Sequence, residues 1–349
     1  MPFDEPYSTA KSCTISDSDF NTDFGNCQEF SEKNELKEKF APKRELSEKL
    51  SASFSRLEMD KRSERVAECG TFLEFAHQIA DNGDIAEKGK LFLANFCRDR
   101  LCPMCAWRRS YKIFGQISQI MQYIGKEYDF LFLTLTIPNI NASELPNTLK
   151  ELQQGWNKLK HRKRFRTAVK GYFKALEITY NKKRNDYHPH YHIVLAVNKS
   201  YFKKADYIKR EEWLQMWREC MGDERITQVD IRRAKNKATA EAEQASADLS
   251  SAIAEIAKYA VKLDEEMLYN DEVVRVLATC LHGKRLCEFD GKGAFGSARS
   301  KLQLDDAEDG DLVNIGDDKI EPNLALLIVR YGWSAGCYQM KDCYIKNCE

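Results

Sequence analysis

The sequence has no long hydrophobic run: nowhere do the ~20 successive apolar residues of a bilayer-spanning helix occur. Its first residues, "MPFDEPYSTAKSC", lack the basic patch and apolar core of a secretory signal. Both absences lead to the expectation of a cytoplasmic chain with no membrane partner. Net charge is absent too, with 54 Lys+Arg against 54 Asp+Glu, so composition as a whole announces no nucleic-acid partner. The balance conceals opposed patches. "WNKLKHRKRFRTAVKGY" (156–172) is basic, and "LDDAEDGDLVNIGDDKIE" (304–321) is acidic. Such a pair is either an electrostatic footprint for DNA or RNA or two solvated faces. No internal repeat stands out.

Histidine is scarce, and three of the six histidines fall within "HPHYHIVLAV" (188–197). Cysteine is plentiful, with 12 in a chain expected to meet a reducing compartment, so thiols or metal ligands are expected rather than disulfides. At 349 residues the chain holds one large domain or two modest ones.

Residues 1–60 are polar and acid-rich and read as a poorly ordered arm, with at most a helix near "FSEKNELKEKF". Residues 61–128 read as helical around a cysteine knot at 97–105, with a helix from Ala106 to Tyr123 carrying Ile113, Ile117, Ile120 and Ile124 at helical spacing. The pattern then changes. "FLFLTLTIP" (130–138) predicts a buried strand, and a helix follows, capped by Ser143 and running to residue 165. "GYFKALEITY" (171–180) and "HPHYHIVLAV" predict a hairpin. A helix over 202–222, stopped by Gly222, leads to a strand over 226–234. Strand, helix, strand, strand, helix, strand is the order of a ferredoxin-like antiparallel sheet, in which the first and third strands are inner. The expected class is therefore α+β, with a catalytic domain over 129–270. "DLSSAIAEIAKYAVKLDEEM" (248–267) predicts a helix with Leu249, Ile253, Ile256, Ala260 and Leu263 as its apolar stripe. Residues 271–349 read as an extension of short strand-like pieces and turns, including the acidic run. Cys337, Cys343 and Cys348 receive no role.

His190 and His192 alternate on a strand and so leave the same face, while Tyr191 points to the core. With the hairpin turn near residue 184, Glu177 falls opposite positions 190–192. Two imidazoles and a carboxylate suit Mg²⁺ or, better, Mn²⁺. A pair of structural histidines is the alternative. In "EIAKYAVK", Glu255 and Tyr259 lie four apart on one helical face, with Lys258 and Lys262 beside them. A tyrosine becomes a nucleophile where a cation favours the phenolate and a metal polarises the electrophile, and the lysines would also hold a phosphate. Taken alone, such a tyrosine is ordinarily packing. Cys97, Cys102 and Cys105 are spaced C-x₄-C-x₂-C, and Cys69, followed by Gly70, is the natural fourth ligand of a zinc knot, against a reading as buried thiols. Arg98, Arg100, Arg108 and Arg109 surround the knot, so zinc would brace a DNA-contacting module.

In this combination and order, "FLFLTLTIPN", "HPHYHIVLAV" and "EIAKYAVK" resemble the three motifs of rolling-circle plasmid replication initiators of Gram-positive bacteria, in the HUH endonuclease superfamily. The resemblance extends to "FCRDRLCPMCAWRR" and "LHGKRLCEFDGKGAFG", over roughly residues 65–300. It implies a bacterial, metal-dependent nickase and strand transferase. Tyr259 would attack a phosphodiester at the plasmid origin, leaving a 5′-phosphotyrosyl link and a 3′-hydroxyl that host polymerase extends, with a host helicase as further partner. His190 and His192 would hold the metal, with Glu177 as third ligand and His188 as its rival. Glu255 stands where some relatives carry a second tyrosine and would activate water for a hydrolytic closing step. A second subunit's tyrosine, in a homodimer, is the other route. The nick site would be single-stranded or extruded as a hairpin. Lys158, Lys160, Arg162, Lys163, Arg164 and Arg166, with Arg108 and Arg109, would contact DNA phosphates.

Two other readings compete. A conjugative relaxase or single-tyrosine transposase shares the chemistry, although relaxases commonly place the tyrosine before the histidines. A non-catalytic zinc-containing DNA-binding protein would need neither histidines nor tyrosine.

Overall fold

A computed structural model of the protein describes residues 36–203, 206–234, 253, 265–316, 320 and 325–346. In its first half the elements are α1 (Ala41–Arg56), α2 (Asp60–Ala67), β1 (Phe72–Ile79), β2 (Lys90–Ala94), α3 (Pro103–Ile124), β3 (Tyr128–Leu135), α4 (Leu145–His161) and α5 (Lys163–Ala168). There follow β4 (Val169–Asn181), β5 (Asp186–Asn198), α6 (Arg210–Met221), β6 (Val229–Arg233), α7 (Glu265–Leu268), α8 (Asp271–Cys280), β7 (Cys287–Phe289), α9 (Ala294–Lys301), β8 (Ala325–Ser334) and β9 (Cys337–Lys346). The fold is mixed α+β with two antiparallel sheets, ordered β2-β1-β8-β9 and β6-β3-β5-β4-β7.

In the larger sheet β3 and β5 are inner strands, and where both faces are covered, as over 193–197 of β5, the sequence is continuously apolar. One face packs on α4, α5 and α6 through the buried Trp156, Phe165, Trp213 and Trp217. Trp156 meets Tyr172 edge-on at 4.9 Å and Phe165 at 5.7 Å. Gly155 lets α4 and α6 approach, since a Cβ there would crowd the Met221 sulfur and lie 3.3 Å from the buried Trp217 ring. The other face is covered over its far half by Ile113, Ile117, Ile120 and Ile124 of α3, by Phe295 and Ala298 of α9, and by Ile253. Asp290 caps α9, accepting from the Gly296 amide at 2.5 Å and the Tyr172 amide at 2.9 Å.

Several expectations change. α1 occupies residues expected to be a disordered arm: its buried stripe is Arg44, Ser47, Leu50, Ser51 and Phe54, and the serines hide it from a hydrophobic pattern. β1 and β2 lie in the stretch read as helical, because the strand that pairs with β1 on its other side, β8, comes from the far end of the chain. Ser143 does not cap α4. Glu144 holds that position, accepting from the Asn141 amide at 2.8 Å, and the proline in the first turn needs no amide partner. The helix breaks at Arg162, whose backbone is extended, before α5. α6 starts at Arg210 rather than 202, because the Glu212 carboxylate accepts from the Lys209 amide at 3.0 Å and fixes the first turn. It stops at Gly222, in the left-handed region at φ 68°. The stretch 271–349 is not one extension, for β7 joins the larger sheet and β8 and β9 the smaller. Of the helix expected over 248–267, only Ile253 and the start of α7 fall among the described residues.

Among its described residues, the acidic run is more than a solvated face. Over its described part it clasps α3: Lys112 Nζ donates to Asp305 at 2.6 Å, Gln116 donates to the Asp305 carbonyl at 3.0 Å, and Arg109 Nε donates to the Glu308 carbonyl at 3.1 Å. The Glu308 carboxylate accepts from Arg100 and from the amides of Leu286 and Cys287.

Candidate functional site

The β4–β5 hairpin pairs Glu177 with His190, Ala175 with His192 and Thr179 with His188. Side chains alternate along a strand, so Glu177 and the three histidines leave one face. Asn185 takes the left-handed conformation the tight turn requires, at φ 53°, as asparagine tolerates. The Nε2 atoms of His190 and His192 lie 2.7 and 3.0 Å from one oxygen, Oε2 of Glu177, and the three side chains are 9, 12 and 11% exposed.

His190 Nδ1 sits 2.9 Å from the His188 carbonyl. A carbonyl only accepts, so Nδ1 carries the proton and Nε2 meets the carboxylate with a lone pair, unless a second proton or a cation stands between them. The arrangement therefore calls for positive charge at that point. With two nitrogens and one carboxylate oxygen all within 4.8 Å of one another, the group could hold a metal ion. Burial alone would raise the Glu177 carboxyl, but His190 and His192, carrying positive charge or a shared proton at that point, outweigh it and hold the group below the usual carboxylate range. His188 stacks on His190 at 5.0 Å and stays outside the trio. Burial, and then the neighbouring His190, depress its pKa. Tyr191 points the other way, its hydroxyl donating to Gln153 at 3.2 Å.

Beside His192 a cavity of about 470 Å³ opens toward the β6 edge, lined by Thr134, Gln228, Asp230 and Arg232. Thr134 pairs with Asp230 across the strands, and its hydroxyl lies 3.4 Å from His192 Nδ1. Sequence reasoning missed these residues, although the alternation of Gln228, Asp230 and Arg232 along "ITQVDIRRA" was the available signal. Tyr259, Glu255, Lys258 and Lys262 lie outside the described residues. Ile253, six positions before Tyr259, is helical and belongs to the same buried cluster as Ala175 and Val194, which lie on the sheet face that carries Glu177 and His192.

Cys69, Cys97, Cys102 and Cys105 form a second group that could hold a metal ion. Cys69 precedes β1, Cys97 follows β2, and Cys102 and Cys105 sit at the start of α3. The Cys69 sulfur is 3.5 Å from those of Cys102 and Cys105, and Cys97 is 3.7 Å from Cys105. Backbone amides point at the sulfurs: Cys97 N at Cys69, Arg98 N at Cys105 and Asp99 N at Cys97, at 3.2 to 3.4 Å. Burial alone would raise the Cys102 thiol, but hydrogen bonds from the other three cysteines and Ser47 hold it well below its ordinary value. Cys105, hydrogen-bonded to that sulfur and buried, is pushed up. Four sulfurs this close cannot all ionise without a cation among them.

The expected DNA-contacting residues divide. Arg108 and Arg109 are 3 and 6% exposed and donate to the carbonyls of Leu312, Val313, Glu308, Asp99 and Arg98, so both are structural, a correction to their expected surface role. Lys160, Arg162 and Arg164 pair with Glu288, Glu219 and Glu212. Lys158, Lys163 and Arg166 are exposed. No helix among the described residues is long and apolar enough to cross a membrane.

Comparison with known proteins gives the family. The model of a family described as "Replication protein" matches residues 88–342. A "Protein rep" of Bacillus sp is 36% identical over 301 residues, covering 82% of this chain and 94% of that protein. A "Protein rep" of Staphylococcus aureus is 40% identical over 236 residues, 67% of this chain and 96% of that one. Another, from Streptococcus pneumoniae, is 36% identical over 289 residues, 81% and 84% of the two chains. No solved structure matches the chain. Most of its length being covered, both by the family model and by these relatives, the chain belongs to the replication-protein family.

Proposed function

We propose that this replication protein initiates rolling-circle replication of a plasmid as a site-specific DNA nickase and strand transferase. The observation that carries the proposal is the convergence of His190, His192 and Glu177 on one point of a sheet face that opens into a cavity. The strand order β6-β3-β5-β4 supports a ferredoxin-like core of the HUH type, here extended by β7. We assign the nicking domain to 129–270 together with β7, and the cysteine knot to the region before it.

His190, His192 and Glu177 would hold a divalent cation, Mg²⁺ or Mn²⁺, which when bound polarises the scissile phosphate and offsets the charge that develops on it. The His188 carbonyl keeps the His190 proton on Nδ1, so that Nε2 faces the site. Tyr259 is the nucleophile: its oxygen bonds to phosphorus, the bond to the 3′-oxygen breaks, and a 5′-phosphotyrosyl link and a free 3′-hydroxyl result. Lys258 and Lys262 favour the phenolate and hold the phosphate, and Glu255 takes a proton from water in the closing step. The four cysteines would hold zinc as a structural ion, a fit argued by their spacing and by the amides aimed at their sulfurs. Origin DNA, unpaired at the nick, is the substrate, and host helicase and polymerase act on the product. We place this work in the bacterial cytoplasm.

The test is a covalent-adduct assay. Protein, Mn²⁺ and supercoiled plasmid bearing the origin are incubated, digested and searched by mass spectrometry for nucleotide-linked peptides. An adduct on Tyr259, absent from Tyr259→Phe, is expected. Nicking with no adduct would replace the tyrosine by metal-dependent hydrolysis, and no nicking at all would leave a DNA-binding protein.

A further inference from the structure

Next to the cysteine knot lies a cavity of about 300 Å³, away from the histidine face, lined by Arg62, Arg65, Arg98 and Arg100, with His282 and Leu281. We propose that this cavity binds a backbone phosphate of duplex DNA, at a place separate from the nick site. The inference deepens the proposed nickase reading and rests on it for the identity of the partner.

The cavity is built, not incidental. Asp99 is 5% exposed and organises two of the arginines, accepting from Arg62 Nε at 2.9 Å, Arg62 Nη2 at 3.0 Å and Arg65 Nη2 at 3.2 Å. Arg100 is matched by Glu308. Arg62, Arg65 and Arg98 then stand against the one carboxylate of Asp99, which leaves two positive charges in a concave site with apolar walls from Leu101, Leu277 and Leu281. Low-dielectric walls strengthen attraction for an anion. Arg65 offers one nitrogen to Asp99, its side chain is 55% exposed, and a guanidinium has five donors in a fork that matches phosphate.

The cysteine loop fixes this geometry. The Arg98 amide points at the Cys105 sulfur at 3.2 Å and the Asp99 amide at the Cys97 sulfur at 3.4 Å, and Arg98 takes a left-handed backbone at φ 59°. A cation held by the four cysteines would fix where Arg98 and Asp99 stand, and through Asp99 where Arg62 and Arg65 stand. The ligand is a DNA backbone rather than a free anion by its setting: an open pocket with exposed arginines, in a replication protein.

The experiment measures binding of a duplex containing the origin over a range of salt concentrations. It compares the wild-type chain, the Arg65→Gln/Arg98→Asn double variant, and Lys341→Gln as a control at an exposed cation on β9. Asparagine suits the left-handed backbone of residue 98, and circular dichroism reports whether each variant folds. Log affinity plotted against log salt should be shallower in the double variant, by ~0.9 for each DNA phosphate it no longer neutralises. The control should match wild type. An unchanged slope and affinity in the folded double variant would overturn the inference, as would a wild-type chain that binds no duplex. A chain that shows the expected slope change yet makes no Tyr259 adduct would sink the nickase reading and leave this site standing.

Discussion

Replacing Glu308 by alanine tests the clasp that the acidic segment forms on the knot and on β7. The Glu308 side chain is 2% exposed, and that of Arg100, its partner at 2.5 Å, is 21% exposed. Its other oxygen accepts the amides of Leu286 and Cys287, both at 2.5 Å. Removing one member of a buried pair costs about 3–5 kcal/mol, because a charge stays behind without its partner. Each orphaned amide adds about 1–3 kcal/mol, reduced where water enters the space left. A loss of about 5 kcal/mol is the working figure. At ~2.1 cal/mol/K per residue, a chain of 349 residues has an unfolding entropy near ~0.7 kcal/mol/K. Glu308→Ala should therefore lower Tm by about 7 °C. Glu308→Gln should fall between, since its amide oxygen can still accept both backbone donors. Asp309→Ala, at a side chain 67% exposed and 4.0 Å from Arg285, is the control. Thermal unfolding followed by circular dichroism decides: if Glu308→Ala melts with the control, the acidic segment is not a structural clasp.

Three further outcomes are expected. His190→Ala and His192→Ala should each abolish nicking while much of the origin binding remains, as read by plasmid relaxation beside a gel-shift assay. Equal loss of both would make the histidines structural. Cys97→Ser, at the most accessible of the four sulfurs, should release bound zinc, measured as metal per chain after dialysis, and retention of one equivalent would remove Cys97 from the ligand set. Burial holds the Asp290 carboxyl up to about 6, above its ordinary value, against the pull of the Gly296 and Tyr172 amides. The folded chain then binds that proton more tightly than the unfolded one, so this contribution is full below pH ~4 and lost as pH rises through 6, by ~3 kcal/mol. Urea titrations of wild type and Asp290→Asn between pH 4 and 7 should diverge by that amount, and parallel curves would refute the assignment.

What the sequence disclosed follows the range of the interaction. The β4–β5 hairpin is local, and a period of two with a short turn was enough to bring Glu177 opposite His190. The cysteines of the knot were legible from spacing, with Cys69 as the distant fourth. What stayed hidden depends on chain far away. Arg108 looks like a DNA-binding side chain until the carbonyl of Leu312, 204 residues on, is found to receive its guanidinium. β1 looks helical until β8 supplies its partner. The stripe of α1 is built partly from serines, which no hydrophobic pattern reports.

The pairing of β1 with β8 also sets a timetable for synthesis. Arg330 sits opposite Glu74, to which it is hydrogen-bonded, and 256 residues separate them. A ribosome adding ~5–20 residues per second needs about 13–50 s to make that stretch. Through that interval β1 waits with one edge open, while the larger sheet, whose last strand ends at Phe289, can already close. The sheet that carries His190 and His192 therefore has all its strands before the smaller sheet does.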